Sequence, residues 1–490
     1  MILGFTILVS IGGIMAVDLY SLGAAEEVTG SKHLFEVNGK TYMVDCGAFQ
    51  GHRQESDRKN REFDFAADKL EAVILTHAHY DHSGLLPVLI KKGFKGNIYA
   101  TAATRDLVNL VLMDSAHIQA RDAEYLQKQA RKRGEDFNWE PLFTEKEVVQ
   151  VSNQMISLPY NRKMMISEDV ELEFYDSGHI LGSAMAMVTL RGQGETKGVT
   201  KKDLRILYSG DLGRKNKAII RDPETDIPSF DYLYIESTYG DRPHKDMQMS
   251  LDKLVQVINH AVERKGKVVI PAFAIERTQE LIYHLHLLTD EKKIPKIPIY
   301  VDSPMATNAT AIFQAHPECY DEDTYKAFIV HHKNPFGFNE LSFTQSVEDS
   351  KNLNDKPGPM IIISADGMCE AGRVVHHVAN NISDPNNTIL VVGYMAENTL
   401  GRKILDGADE VKIMYEWYKV RATIEKINAF SAHTDCVEAV QWLKEVNTSQ
   451  LKNIFIVHGE KKAQAGFVEY LAENGFKDTT IVKRGKHYSV

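Results

Sequence analysis

The densest chemistry in the chain lies in Thr76-His77-Ala78-His79-Tyr80-Asp81-His82-Ser83-Gly84, directly after the apolar run Ala72–Leu75. Imidazole nitrogens and carboxylate oxygens are the donors that zinc and similar divalent cations take. His77 and His79, two apart on an extended strand end, can point at one ion. Asp81 and His82, at the turn into a helix, can reach a second. One zinc takes three or four ligands, so this segment cannot close two sites alone and the sequence must supply more. Three further candidates follow: His179 in Asp176-Ser177-Gly178-His179, Asp211 in Ser209-Gly210-Asp211, and His458 in Val457-His458-Gly459-Glu460. Each ends an apolar strand beside a glycine that lets the backbone turn. A carboxylate such as Asp211 can bridge two ions, as two-metal hydrolytic sites require. A strand-end histidine taken singly is ordinarily a surface or hydrogen-bonded residue; the crowded cluster around His77 is what favours a metal. His331-His332 and His376-His377 lack that context and read as solvated or core residues. Met185 and Met187 alternate in a strand and read as core.

These residues need elements to carry them. His33–Val37 and Thr41–Asp45 flank Asn38-Gly39, a hairpin signal; no glycine precedes Gly39-Lys40-Thr41 at P-loop spacing. Ala72–Leu75 reads as a buried strand and Leu85–Lys92 as a helix. Asp106–Arg133 reads as a long helix ended by Gly134. Glu171–Tyr175, Ala184–Leu190, Leu204–Tyr208 and Tyr232–Ile235 read as strands. From about Thr238 strands and helices alternate, the signature of a parallel α/β sheet. The last stretch reads as strand, helix, strand, helix: Ala422–Asn428, Val437–Glu445, Ile454–His458 and Phe467–Asn474.

The chain has 490 residues, 43% of them hydrophobic and 25% charged, with a net charge of −10. That length calls for at least two cores, and the balance is that of a globular protein, not a disordered or collagenous one. The negative charge excludes a protein that coats nucleic acid by bulk charge, so any such site is a local patch. Cys46, Cys319, Cys369 and Cys436 are far apart, which argues against a disulfide scaffold or a zinc ribbon and suits a reducing cytosol. Residues 1–16 are mostly apolar without Lys or Arg. They read as an N-terminal extension, or as sequence preceding a true start at Met15, rather than as a signal or an anchor. No membrane association is expected, and the location reads as cytoplasmic.

Val44-Asp45-Cys46-Gly47, the His77–His82 run, Ser177-Gly178-His179 and Ser209-Gly210-Asp211 resemble the successive motifs of the metallo-β-lactamase superfamily. Ile235-Glu236-Ser237-Thr238-Tyr239-Gly240, Phe430-Ser431-Ala432-His433-Thr434-Asp435 and Val457-His458-Gly459-Glu460 resemble motifs A, B and C of its β-CASP branch. So do Pro271–Glu280 and Ser364–Arg373. The resemblance runs over about residues 17–460. It implies a four-layer αββα metallo-β-lactamase fold with an inserted parallel α/β β-CASP domain. The metallo-β-lactamase domain would comprise 17–237 and 424–490, with 238–423 as the insert.

The resemblance also implies the site: two zinc ions per chain, one held by His77, His79 and His179, the other by Asp81, His82 and His458, with Asp211 bridging. Asp45 would support the ligand loops from behind. The implied reaction is hydrolysis of phosphodiester bonds in single-stranded RNA by a di-zinc-bound hydroxide. His433 is the candidate general acid, since imidazole titrates near neutrality; Glu236 would fix its tautomer and favour its protonated form. Gly367, Met368, Gly372, Arg373 and Ser303 are candidate contacts to substrate phosphate, with Arg277 and Arg402 as further candidates. Glu195–Lys217, with seven Lys/Arg against three Asp/Glu, and Arg131-Lys132-Arg133 could track a nucleic-acid backbone, although charge runs are usually solvated faces. The expected activity is endonucleolytic, with trimming from a 5′ end as a companion activity. Competing readings are a DNA nuclease, a hydrolase of a small ester, thioester or lactam, and a metal-free scaffold; motifs A to C argue against the second and the full ligand set against the third. A homodimer is expected only by analogy.

Overall fold

The computed structural model describes residues 17–490 apart from 52, 64, 135–138, 195–201, 245–246, 394, 397 and 428–430. The extension 1–16, Phe430 of the motif-B segment and the first part of the basic stretch 195–217 therefore lie outside the described residues.

Two seven-stranded sheets form the centre. In the first, Asp18–Gly23, Lys32–Val37 and Lys40–Val44 run antiparallel; Leu70–Ile74, Asn97–Ala100 and Met155–Ser157 then add in parallel. In the second, Val170–Asp176, Ala184–Gly194 and Lys202–Tyr208 form an antiparallel meander. Tyr232–Glu236, Asn453–Val457 and Thr479–Ile481 continue it in parallel. The inner faces meet in one buried cluster that includes Phe35, Tyr42, Ile74, Phe174, Val188, Tyr208, Tyr234 and Phe455. Alternation puts the other faces outward. Met43, Val73 and Ile98 pack against Leu86, Leu89, Leu107 and Val108 of helices Leu86–Lys91 and Ala102–Arg133. On the far side, Leu207, Leu233 and Ile456 pack against Trp442, Leu443, Phe467 and Leu471 of helices Cys436–Glu445 and Lys461–Glu473. Helix, sheet, sheet and helix thus make the expected four layers.

A third sheet is wholly parallel, with strands in the order Leu341–Phe343, Ile299–Val301, Met360–Ser364, Lys267–Pro271, Thr388–Val391 and Thr423–Lys426. Its central strands are buried throughout, as in a sheet covered on both faces. Helices Met247–Glu263, Arg277–Asp290 and Pro304–Ala315 cover one face, and Arg373–Asn381 and Leu400–Leu405 the other. The long helix Ala102–Arg133 packs against Pro304–Ala315 and so ties this sheet to the αββα body. A short hairpin, Glu410–Ile413 with Glu416–Lys419, lies on the second face. Met185 and Met187 are core residues, His331 and His332 are exposed, and His377 is buried while His376 is exposed, as their sequence context suggested.

Candidate metal centre

The first sheet delivers His77 and His79 from the segment after Leu70–Ile74, and a short helical turn, Tyr80–Ser83, delivers Asp81 and His82. The second delivers His179 beyond Val170–Asp176, Asp211 beyond Lys202–Tyr208, and His458 beyond Asn453–Val457. The sequence turns sharply at each point because glycines let backbones touch. A Cβ on Gly47 would lie 1.5 Å from the Asp81 carbonyl oxygen, and one on Gly213 would lie 1.9 Å from that of Gly178.

The ligand atoms of His77, His79, His179 and Asp211 all lie within 4.8 Å of one another, as do those of Asp81, His82 and His458. His79 Nδ1 lies 3.1 Å from His77 Nε2 and 3.2 Å from His179 Nε2. His82 Nε2 faces His458 Nε2 at 3.1 Å, and His458 Nε2 is 3.5 Å from Asp81 Oδ2. Asp211 stands between the groups: Oδ2 is 3.4 Å from both His77 and His179, and Oδ1 is 3.2 Å from His82.

This donor set fits metal ions. Ring nitrogens converge on each other, and Asp211 Oδ1 and His179 Nδ1 are buried without a hydrogen-bond partner. Burial pushes the His77 imidazole down to about 4 and His179 well below its usual range, so both are neutral with lone pairs available. Burial opposes charge on Asp211, but His458 and His82 outweigh it and hold the carboxyl well below the usual range. Neutral His77 and His179 facing an ionised Asp211 suit a cation, whereas His82, which burial would lower but Asp211 and Asp45 raise well above its usual range, would have to release a proton to bind one.

Asp45 supports the ligands from behind. It is buried, and its carboxylate accepts the Thr76 N–H at 2.9 Å, the Thr76 hydroxyl at 3.0 Å, the Ser31 hydroxyl at 3.2 Å and the His82 Nδ1–H at 2.7 Å. With Asp45 keeping the proton on Nδ1, a cation binding at this site would displace the one on Nε2 and take that lone pair. Thr238 Oγ1 stands 3.1 Å from His458 Nδ1 in the equivalent place.

His433 and Glu236 meet beside this cluster. His433 Nδ1–H donates to Glu236 at 3.0 and 3.1 Å and stands 3.7 Å from Asp211 Oδ2. Glu236 also accepts the Leu212 N–H at 2.8 Å, which fixes it next to Asp211. Burial works against a charged ring, but Glu236 and Asp211 prevail and raise the His433 pKa to about 9. Its Nε2 takes no part in these bonds.

The third sheet turns its carboxyl edge to the same place. Lys217, buried, donates to the His179 carbonyl at 2.8 Å and to Glu276 at 2.9 Å, just beyond the strand Lys267–Pro271. Ser303, Gly367, Met368 and Gly372 also follow strands at this edge. Their polar groups are partly engaged: the Ser303 hydroxyl caps a helix by accepting the Ala306 N–H, and the Met368 N–H donates to Asp366. Arg373 differs from the expectation of a guanidinium offered to phosphate. It donates to Asp302 at 2.6 Å, to the Thr344 carbonyl at 3.1 Å and to the Gln345 carbonyl at 2.6 Å. A buried, ionised Asp302 at the end of Ile299–Val301 demands such partners. Arg277 likewise pairs with Glu280 at 2.5 Å and Arg402 with Asp406 at 2.8 Å. The basic stretch ending at Lys217 thus differs from the expectation of a backbone-tracking face, since Lys217 is buried and Arg214 and Lys215 pair with Glu438 and Glu445; the roles of Ser31 and the Thr76 hydroxyl behind the cluster were not found from the sequence.

Donors on the strand ends of an αββα body, faced by an inserted parallel sheet, define a metal-binding hydrolase. Comparison with known families places it further. Residues 30–272 match the metallo-beta-lactamase superfamily, 278–404 the Beta-Casp domain, and 417–482 the Zn-dependent metallo-hydrolase RNA specificity domain. Ribonuclease TTHA0252 of Thermus thermophilus is 34% identical over 464 residues, 95% of this chain and 98% of that protein. The transcription termination factor FttA of Methanothermobacter thermautotrophicus is 31% identical over 453 residues, 90% of this chain and 67% of that protein. A protein of unknown function from Enterococcus faecalis V583 shares the fold, with a TM-score of 0.53 at 13% identity over 97% of this chain and 100% of that one. The chain belongs to the β-CASP branch of the metallo-β-lactamase superfamily, a branch of metal-dependent nucleases. No helix among the described residues is long and apolar enough to cross a membrane.

Proposed function

We propose that the protein is a zinc-dependent ribonuclease that hydrolyses phosphodiester bonds of single-stranded RNA, cutting internally and also trimming from a 5′ end. The observation that carries this reading is the convergence of seven ligand residues in two groups beside the His433–Glu236 pair. His77, His79 and His179 would hold one zinc, Asp81, His82 and His458 the other, and Asp211 would bridge them. Two zinc ions there would polarise the scissile phosphate and lower the pKa of a water to about 7.

The chain's own residues do the rest. Asp45 and Thr238 orient His82 and His458. His433 gives its proton to the leaving ribose oxygen, and Glu236 keeps the ring turned and charged until then. RNA lies between the αββα body and the carboxyl edge of the third sheet, where open α/β sheets bind their ligands, with Gly367, Met368, Gly372 and Ser303 along its path. Arg373 would act there by holding Asp302 in place. The body would comprise 17–237 and 424–490 with 238–423 inserted; the pairing of Thr423–Lys426 with Thr388–Val391 supports a return to the body a few residues later. Four free, buried cysteines suit action in a reducing cytoplasm, and self-association as a homodimer belongs to the same reading. The names of the relatives, a ribonuclease and a transcription termination factor, support RNA as the polymer.

The test is cleavage of 5′-labelled and 3′-labelled single-stranded RNA and of sequence-matched DNA, with Asp81→Ala in parallel. Chelator-sensitive internal products from RNA, absent from the variant, are expected. Equal cleavage of the DNA, or products that persist in Asp81→Ala, would overturn the proposal.

A further inference from the structure

The hairpin Glu410–Ile413/Glu416–Lys419 has an unusual tip. Its two connecting residues, Met414 and Tyr415, both have positive φ, 48° and 74°. That is the type I′ conformation, for which Asn-Gly is the favoured pair because bulky side chains strain there. Strain of this kind persists where the side chains serve a purpose. Here the side chains face water: Tyr415 is 83% exposed, and Trp417, next along the strand, is 65% exposed. The inner face of the hairpin is anchored, since Val411 and Ile413 are buried against Leu400 and Ile404. So the aromatic side chains stand on a rigid support.

Two observations say what they face. Trp417 lies directly across from Lys412 in the hairpin register. The Tyr415 hydroxyl meets that of Tyr125, itself 52% exposed on the long helix Ala102–Arg133. From Tyr125 the helix carries Lys128, Arg131, Lys132 and Arg133, the basic run picked out in the sequence. In the other direction it leads to the metal centre: Ser115 donates to the Tyr80 hydroxyl at 3.1 Å, and Tyr80 sits between His79 and Asp81. Ten helical residues separate Ser115 from Tyr125, about 15 Å at 1.5 Å per residue. At ~3.4 Å per nucleotide that is a reach of about four stacked nucleotides.

We propose that Tyr415, Trp417 and Tyr125 form a base-stacking platform for single-stranded RNA, outside the metal centre. Exposed aromatics interleaved with cations are what an unpaired strand needs, since bases stack on the rings and phosphates meet the Lys and Arg side chains. The run Lys128, Arg131, Lys132 and Arg133 at the end of this helix, with Lys412 and Lys419 beside the exposed Glu410 and Glu416 of the hairpin, favours a nucleic acid over a second copy of this acidic chain. The inference rests on the RNA reading above.

The test replaces the tip by the pair the turn prefers, Met414→Asn/Tyr415→Gly, and separately makes Trp417→Ala. Kinetics on a 15-nucleotide RNA are compared with inhibition by a tetranucleotide, which astride the metal centre extends only two nucleotides to either side and stops short of the platform. Loss of one stacked base should raise KM for the 15-mer about 5- to 150-fold, with kcat and the tetranucleotide inhibition constant within twofold. The Asn-Gly variant should melt no lower than wild type, which separates lost recognition from lost folding. A 15-mer KM within twofold of wild type in both variants would overturn the platform while leaving the ribonuclease intact. Equal rises for 15-mer and tetranucleotide, or a change in mass by light scattering with unaltered KM, would overturn it in favour of a distorted site or an interface between copies. If wild type neither binds nor cuts RNA, both proposals fall together.

Discussion

Replacing Asp45 by asparagine isolates what the buried carboxylate does for the metal centre. The side chain keeps its size, and one oxygen can still accept the Thr76 N–H at 2.9 Å. The other becomes an NH2 group that faces the His82 Nδ1–H at 2.7 Å, donor against donor. A hydrogen bond to a charged group is worth about 1.5–3 kcal/mol, and the buried donor left behind is unsatisfied. His82 can relieve this only by moving its proton to Nε2, which removes the lone pair that a metal needs. Substitutions behind a ligating histidine cost roughly 10–100-fold in metal affinity, about 1.4–2.8 kcal/mol. The assay is competition between the protein and a chromophoric chelator, with denaturant unfolding of metal-free protein alongside. Asp45→Asn should weaken metal binding by that factor and lower the metal-free unfolding midpoint. Wild-type metal affinity in the variant would refute the claim that Asp45 sets the His82 tautomer.

Other consequences can be checked with the same protein. His433→Ala should lower kcat on RNA by about 10²–10⁴-fold with metal content unchanged, and Glu236→Gln should cause a smaller fall in the same direction; steady-state kinetics with metal analysis would read both. Gly213→Ala drives a methyl group to 1.9 Å from the Gly178 carbonyl oxygen. It should cost at least about 1–3 kcal/mol and displace His179, seen as a lower melting temperature and reduced metal content. Asp302 gives a pH signature remote from the metals. Burial opposes its charge, but bonds from His377, Ser350 and Arg373 hold its pKa below the usual value. The ionised form therefore stabilises the fold above the unfolded pKa of about 3.9, and the contribution is lost as pH falls through the native value. The gap in denaturant midpoint between wild type and Asp302→Asn should be constant above about pH 5 and narrow below about pH 4.

The seven side chains that cluster were legible because metal chemistry restricts residue type and because His77, His179, Asp211 and His458 follow apolar strands. The alternation of strands and helices after Thr238 likewise announced a parallel sheet. What the sequence concealed is what depends on distant partners. Arg373 looked available in the chain, and only the fold brings Asp302, Thr344 and Gln345 to it. The strand Thr423–Lys426 looked like the start of the final segment, yet it pairs with Thr388–Val391 as the edge strand of the third sheet. The strands Asn97–Ala100 and Leu341–Phe343 were too short for periodicity to separate from loops. The hairpin tip was hidden for another reason: Met414-Tyr415 contradicts the Asn-Gly rule by which such turns are recognised.

Two metal ions, one at each ligand group, would carry out the hydrolysis in the proposed reaction. This is tested most directly by adding zinc in known equivalents to metal-free protein while following cleavage of a labelled single-stranded RNA. Activity should saturate at two zinc ions per chain, fall to background with chelator, and be absent at every zinc level from Asp211→Ala. Full cleavage by metal-free protein, or undiminished turnover by Asp211→Ala, would contradict a two-metal reaction.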